Sequence, residues 1–229
     1  MLKKTQGIVI SHIKYRETSI IVRVFTRELG LKTYVVNSVR SSKAKSKIAF
    51  FQSLSLLDLV VYDKEGAAIN RISETKLLIA FQRIPFDFYR SGVAMFMGEV
   101  LGKAIYENYQ NEGLFDFVLE AVSYLDQENI NLSVFPLSFL LQLSVYLGFA
   151  PAHAEEFYEQ LAQGLGEIPH SLEEEMYLDQ LLNASFADNL KVPASVRRKL
   201  MNHLLLYYKL HMDTFSEIRS LKILIQMMH

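Results

Sequence analysis

The chain has 229 residues, half of them hydrophobic, no Cys and a formal net charge of −1. That length and apolar content support one large or two modest packed domains, while the lack of Cys excludes a disulfide framework, a thiolate nucleophile and a thiolate metal site. The charge is uneven: residues 1 to 50 carry eleven Lys or Arg against Glu17 and Glu28, a net +9, the first 80 residues stand at +8 and the remaining 149 at −9. A basic front on an acidic body predicts an anionic partner at one end.

Met1 runs into Leu2-Lys3-Lys4-Thr5-Gln6-Gly7 without an apolar stretch of signal-peptide type. The longest apolar runs, Val93 to Met97 and Leu204 to Tyr208, are too short to cross a bilayer. The expectation is a soluble, cytoplasmic protein with no membrane partner.

From Gly7 to Ala80, short β-branched runs alternate with turn and charge signals, the pattern of strands. Five are predicted: Gln6 to Ile13, Ser19 to Thr26, Leu31 to Asn37, Leu54 to Tyr62, and Ala68 to Leu78. Glu28-Leu29-Gly30 and Asp63-Lys64-Glu65-Gly66 are turns that end in a Gly able to take positive φ. In the second strand Ile20, Val22 and Val24 make one face wholly aliphatic. Five strands in this length predict a small closed barrel of the OB-fold type.

After Ile84-Pro85 the apolar period lengthens to that of helices, which puts a domain boundary near residue 80. Helices are predicted from Phe88 to Tyr106, Leu114 to Leu125 and Ser133 to Leu147, the third apolar nearly all round and hence the buried centre. Gly148-Phe149-Ala150-Pro151 stops it, and Phe157 to Ile168, with Gln163-Gly164 as its turn, reads as a small hairpin. Ser171-Leu172-Glu173-Glu174 is a capping box. Helices from Ala194 to Met212 and Ser216 to Met228 complete an α+β chain: a five-stranded OB-fold barrel in residues 1–80, then an all-helical domain in 81–229 with a hairpin insertion at about 157–168.

The chemistry is in the basic stretch Val39-Arg-Ser-Ser-Lys-Ala-Lys-Ser-Lys47, with Arg40, Lys43, Lys45 and Lys47 separated by Ser and Ala alone. Such side chains neutralise phosphates and release counterions, giving affinity without base preference. Neighbouring aromatics stack unpaired bases. Tyr15, beside Lys14 and Arg16, and Tyr34, beside Lys32, are the candidates, whereas Phe25, Phe50 and Phe51 read as core. Arg197, Arg198 and Lys199 form a basic cluster in the acidic half and are a candidate partner surface. Neither G-x-x-x-x-G-K-[ST] nor G-x-G-x-x-G occurs, the six His lack ligand spacing, and no Ser, His and Asp set is brought together. No catalytic residue, metal or cofactor is expected.

The order G-I-V-I (Gly7 to Ile10), Y-R-E-T-S (Tyr15 to Ser19), V-F-T-R-E-L-G (Val24 to Gly30), V-R-S-S-K-A-K-S-K and F-Q-S-L-S-L-L (Phe51 to Leu57) resembles the N-terminal barrel of the bacterial recombination mediators of the RecO family. Y-L-G-F-A-P (Tyr146 to Pro151) and the region Arg197 to Lys222, closing with R-S-L-K, resemble its helical part. The resemblance implies a non-enzymatic DNA repair protein of the RecF pathway. Such proteins bind single- and double-stranded DNA, anneal complementary strands, engage the C-terminal tail of the single-stranded-DNA-binding protein, and work with RecR to load RecA. It places the protein in the cytoplasm with the nucleoid. Arg40 and the lysines after it match the family's basic loop, and Lys32 its basic residue after the turn Gly. Many family members hold a four-Cys zinc site after G-F-A-P, which this chain cannot form. From the residues alone, an RNA-binding or protein-interaction scaffold with the same barrel remains the alternative.

Overall fold

A computed structural model describes residues 1–40, 47–64, 66–188 and 190–227. Five strands, β1 (Leu2–Tyr15), β2 (Ser19–Thr26), β3 (Gly30–Val36), β4 (Leu56–Tyr62) and β5 (Asn70–Leu77), close a barrel in the order β1-β2-β3-β5-β4. A 3₁₀ turn, Lys47–Phe51, sits between β3 and β4. Only the junction of β3 with β5 is parallel, and it is two residue pairs long, Tyr34↔Asn70 and Val35↔Arg71. β1 is long because it serves two neighbours, β4 along Leu2 to Ile8 and β2 along Gly7 to Tyr15.

Alternation sorts the side chains of β2 between two cores. Ile20, Val22 and Val24 face into the barrel with Val9, Tyr34, Leu57, Leu59 and Val61. Phe25 faces outward, and with Ile8, Ile10, Leu31, Leu54 and Leu56 it joins the core of the helical part.

Among the described residues seven helices follow: α1 (Phe88–Ala104), α2 (Glu112–Leu125), α3 (Phe135–Leu147), α4 (Ala154–Leu165), α5 (Leu172–Leu182), α6 (Ala194–His211) and α7 (Leu221–Met227). α3 is the buried centre, as its composition predicts. α1 lies close on β1 because Gly98 and Gly102 present no side chain there: a Cβ on Gly98 would collide with Ser53 Oγ. The Arg23 guanidinium then reaches the Gly102 carbonyl at 3.1 Å.

The expected hairpin at 157–168 is not formed; its residues up to Leu165 belong to α4. Its buried residues Ala154, Phe157, Tyr158 and Leu161 fall at helical spacing, His153 caps the Glu156 N–H, and Gly164 is small for another reason than a turn. A side chain on Gly164 would strike Leu210 of α6, so this Gly permits two helices to approach. The last helix is also shorter than its pattern. Residues 212–220 run as turns against α1, where the Glu99 carboxylate accepts from the Arg219 and Ser220 N–H groups and the Ser220 hydroxyl.

Candidate nucleic-acid interface

Nine of the eleven cations expected to make the barrel basic lie within the described residues; Lys43 and Lys45 lie outside them. Three of the nine are tied by their side chains to an acid or to the helical part of the chain. Lys3 pairs with Asp63 at 2.6 Å, Arg27 with Asp116 at 2.9 Å, and Arg23 with the Gly102 carbonyl. Lys32, partly buried, faces the same Asp63, whose carboxyl is held below the usual aspartate range chiefly by the Lys3 hydrogen bond, with the Lys3 and Lys32 charges adding to it. Lys32 makes no ion pair with Asp63.

Lys14, Tyr15, Arg16 and Arg40 come together at the β1–β2 turn. The Arg40 N–H donates to the Thr18 carbonyl at 2.9 Å and its guanidinium to the Arg16 carbonyl at 3.3 Å. Arg16, at φ 51°, lays its guanidinium 5.1 Å from the centre of the Tyr15 ring. The segment 37–40 is thus folded onto the turn, with Ser19 donating to Asn37 at 3.2 Å.

Tyr34 is not available for stacking. Register sets it opposite Val22 on the inner face, where it is fully buried, and burial pushes its hydroxyl well above the usual tyrosine range. Its neighbour Lys32 shares that inner parity, so a nearby cation in sequence did not mean a solvent-facing ring. Phe25 and Phe51 are core as expected. Phe50 is only partly buried, on the wall of a groove of about 420 Å³.

That groove brings Lys47 together with two cations the sequence reading passed over, Arg71 and Lys76 of β5. Their signal was present in the alternating Asn70-Arg-Ile-Ser-Glu-Thr-Lys-Leu77, but residues 51 to 80 hold four acids against three bases and so concealed it in a segment count. Val39 lines the same groove, while the side chain of the next residue, Arg40, turns to the Arg16 carbonyl. Among the described residues Lys14, Arg16, Arg40, Lys47, Arg71 and Lys76 make no ion pair. Elsewhere β3 is covered. Its Leu31 backbone exchanges hydrogen bonds with Asn108 and Tyr109, and Glu107 accepts from the Thr33 N–H.

The Arg197–Lys199 cluster is largely committed to the fold. Arg197 donates to the Val192 carbonyl at 2.6 Å and Lys199 pairs with the buried Glu174 at 2.7 Å, leaving Arg198 exposed and, among the described residues, without such a tie.

Against known protein families, residues 1–81 match the model described as "Recombination protein O N terminal" and residues 85–217 the model described as "Recombination protein O C terminal". The chain belongs to the RecO family. It is 37% identical over 230 residues to a DNA repair protein RecO of Flavobacterium johnsoniae, covering 96% of this chain and 97% of that one. The same name is carried by relatives from Flavobacterium psychrophilum, at 34% identity over 96% of this chain and 97% of the other, and Bacteroides fragilis, at 31% over 98% of each. The barrel and helices described above are therefore those of a DNA repair family.

The zinc site of many RecO proteins does not fit this chain. There is no thiolate donor, and among the described residues no three His, Asp or Glu side chains are grouped to hold a metal ion. The corresponding segment joins α4, α5 and α6 through side chains instead: Tyr158 bonds His203 at 3.1 Å, and Glu174 takes Lys199 and Ser171. No helix among the described residues is long and apolar enough to cross a membrane.

Proposed function

We propose that the chain is a recombination mediator that binds single- and double-stranded DNA on the flank of its barrel, anneals complementary strands, and acts without catalytic turnover. The observation that carries this reading is that six cations without an ion pair among the described residues, Lys14, Arg16, Arg40, Lys47, Arg71 and Lys76, lie around one turn and one groove of the barrel, while Lys3, Arg23 and Arg27 are tied within the protein. Phosphates are recognised by such a surface through charge, so affinity falls steeply with salt. The expected partners beyond DNA are RecR, the tail of the single-stranded-DNA-binding protein, and RecA as the recipient of the DNA, in the cytoplasm at the nucleoid. Membership of the RecO family supports this set of partners.

The test is DNA binding by the full chain as a function of salt. Replacing Arg16, Arg40 and Lys47 together by Ala should weaken binding across sequences and reduce the salt slope by up to ~0.7 per lost contact on single strands. Unchanged affinity and slope would remove this flank as the interface. A strong preference for RNA over DNA of the same sequence would favour the scaffold alternative.

A further inference from the structure

After Val35↔Arg71 the two strands of the parallel junction separate. β3 ends at Val36, and the chain turns off through Asn37 to Arg40. β5 continues beside β4 to Leu77, and from Ile72 onward no described strand pairs with its second edge. The opening so made is the 420 Å³ groove, a volume within the range of small-ligand sites. Its floor is apolar, formed by barrel-core residues such as Val39 and Ile72. Of its two aromatic rings, Phe51 is buried and Phe50 presents itself at the wall. The rim holds Lys47, Arg71 and Lys76 against one acid, Glu74.

A slot with an apolar floor and a single exposed ring on its wall suits a flat, apolar-faced group, and a rim of three cations suits a chain of anions. A paired base in a duplex keeps its faces stacked on its neighbours and offers only its edges. An unpaired base offers its face to an aromatic side chain. An extended acidic peptide along this β5 edge, which no described strand pairs, is the competing occupant, but it makes no use of the Phe50 ring.

We infer that the groove between β3 and β5 takes one unpaired nucleobase stacked on Phe50, with the flanking phosphates on Lys47, Arg71 and Lys76. This rests on the DNA-binding reading above and adds that single strands are held by a base as well as by charge. Duplex binding uses the cations alone.

The experiment compares three ligands of equal length on the full chain: oligothymidylate, an abasic deoxyribose-phosphate strand, and a duplex. The wild type should bind oligothymidylate more tightly than the abasic strand. Phe50→Leu, which keeps an apolar side chain on the core, should lose roughly 5- to 150-fold on oligothymidylate, with the abasic and duplex affinities and the salt slope unchanged. Lys76→Gln should weaken binding to all three and lower the slope by ~0.7 on single strands. Equal wild-type affinity for the base-bearing and abasic strands, or a Phe50→Leu variant that keeps their ratio, overturns the nucleobase site while leaving DNA binding intact. Failure of the wild type to bind any of the three overturns the wider reading as well. Photocrosslinking of an iodouracil-containing strand to the wild type gives a readout independent of any variant: adducts on Phe50 or its groove neighbours support the site, and adducts confined to other surfaces overturn it.

Discussion

Nζ of Lys199 lies 2.7 Å from Oε1 of Glu174, a carboxylate only 1% exposed, although the lysine itself is 58% exposed. Ser171 donates to the same oxygen at 2.9 Å, so the capping box of α5 is also the anchor of α6. Burial alone would push the Glu174 carboxyl up, yet the hydrogen bonds from Lys199 and Ser171 and the Lys199 charge bring it below the usual glutamate value. Lys199→Met removes the main charged partner of a buried acid and should cost about 1–2 kcal/mol, the exposed half of the pair being screened by water. Adding Glu174→Gln should recover part of that loss. Urea unfolding of the two single variants and the double variant measures the coupling, and strict additivity would mean that the pair contributes nothing.

Glu99 governs the C-terminal segment. Burial raises its pKa, but donors from Ser220 and Arg219, with Lys103, outweigh this and hold it down to about 2. A folded-state value below the unfolded one stabilises above the ordinary value of 4.5 and loses that contribution as pH falls through about 2. Glu99→Gln should therefore lower stability at neutral pH by ~2–3 kcal/mol, and the gap from wild type should close on acidification. Thermal unfolding at a series of pH values tests the closing gap, and amide exchange of residues 219–224 tests the location.

Gly98 sets the distance between α1 and the barrel. An Ala in a helix interior ordinarily gains about 1 kcal/mol over Gly. Here its Cβ would displace the Ser53 hydroxyl, which donates to the Ile10 carbonyl at 3.2 Å. Gly98→Ala should destabilise by roughly 1–2 kcal/mol net, and Ser53→Ala in the same chain should restore at least half. A stabilising single variant would show that the helix can move away without loss.

Among the described residues the buried Tyr34 hydroxyl makes no well-formed hydrogen bond, Thr26 being the polar side chain close enough to influence it. An unsatisfied buried hydroxyl is costly, so Tyr34→Phe should leave the melting temperature unchanged or raise it, by up to about 1 kcal/mol of stability. DNA affinity should not change. Weaker binding by this variant would return Tyr34 to the interface.

Much of the fold was legible because its signals are local. Alternation in Ser19 to Thr26, the stripe in Glu112–Leu125 and the Ser171–Glu174 box each record which face a residue must bury or which backbone group it must cap. The α4 segment was misread because Gly164 has two physical uses, a turn or a close helix contact, and only the presence of Leu210 selects between them.

By itself the sequence determined the strand order of burial, the helical half, the concentration of cations in the first 50 residues and the kinship to RecO proteins. The tertiary structure alone decided which cations are committed internally. Arg23, Arg27 and Lys199 are as basic in sequence as Arg40, but they are tied to α1, α2 and α5 through Gly102, Asp116 and Glu174, whereas Arg40 bonds the Arg16 carbonyl of the β1–β2 turn. It also decided that Tyr34 faces inward while Phe50 lines a groove, since register and the parting of β3 from β5 fix where each ring points.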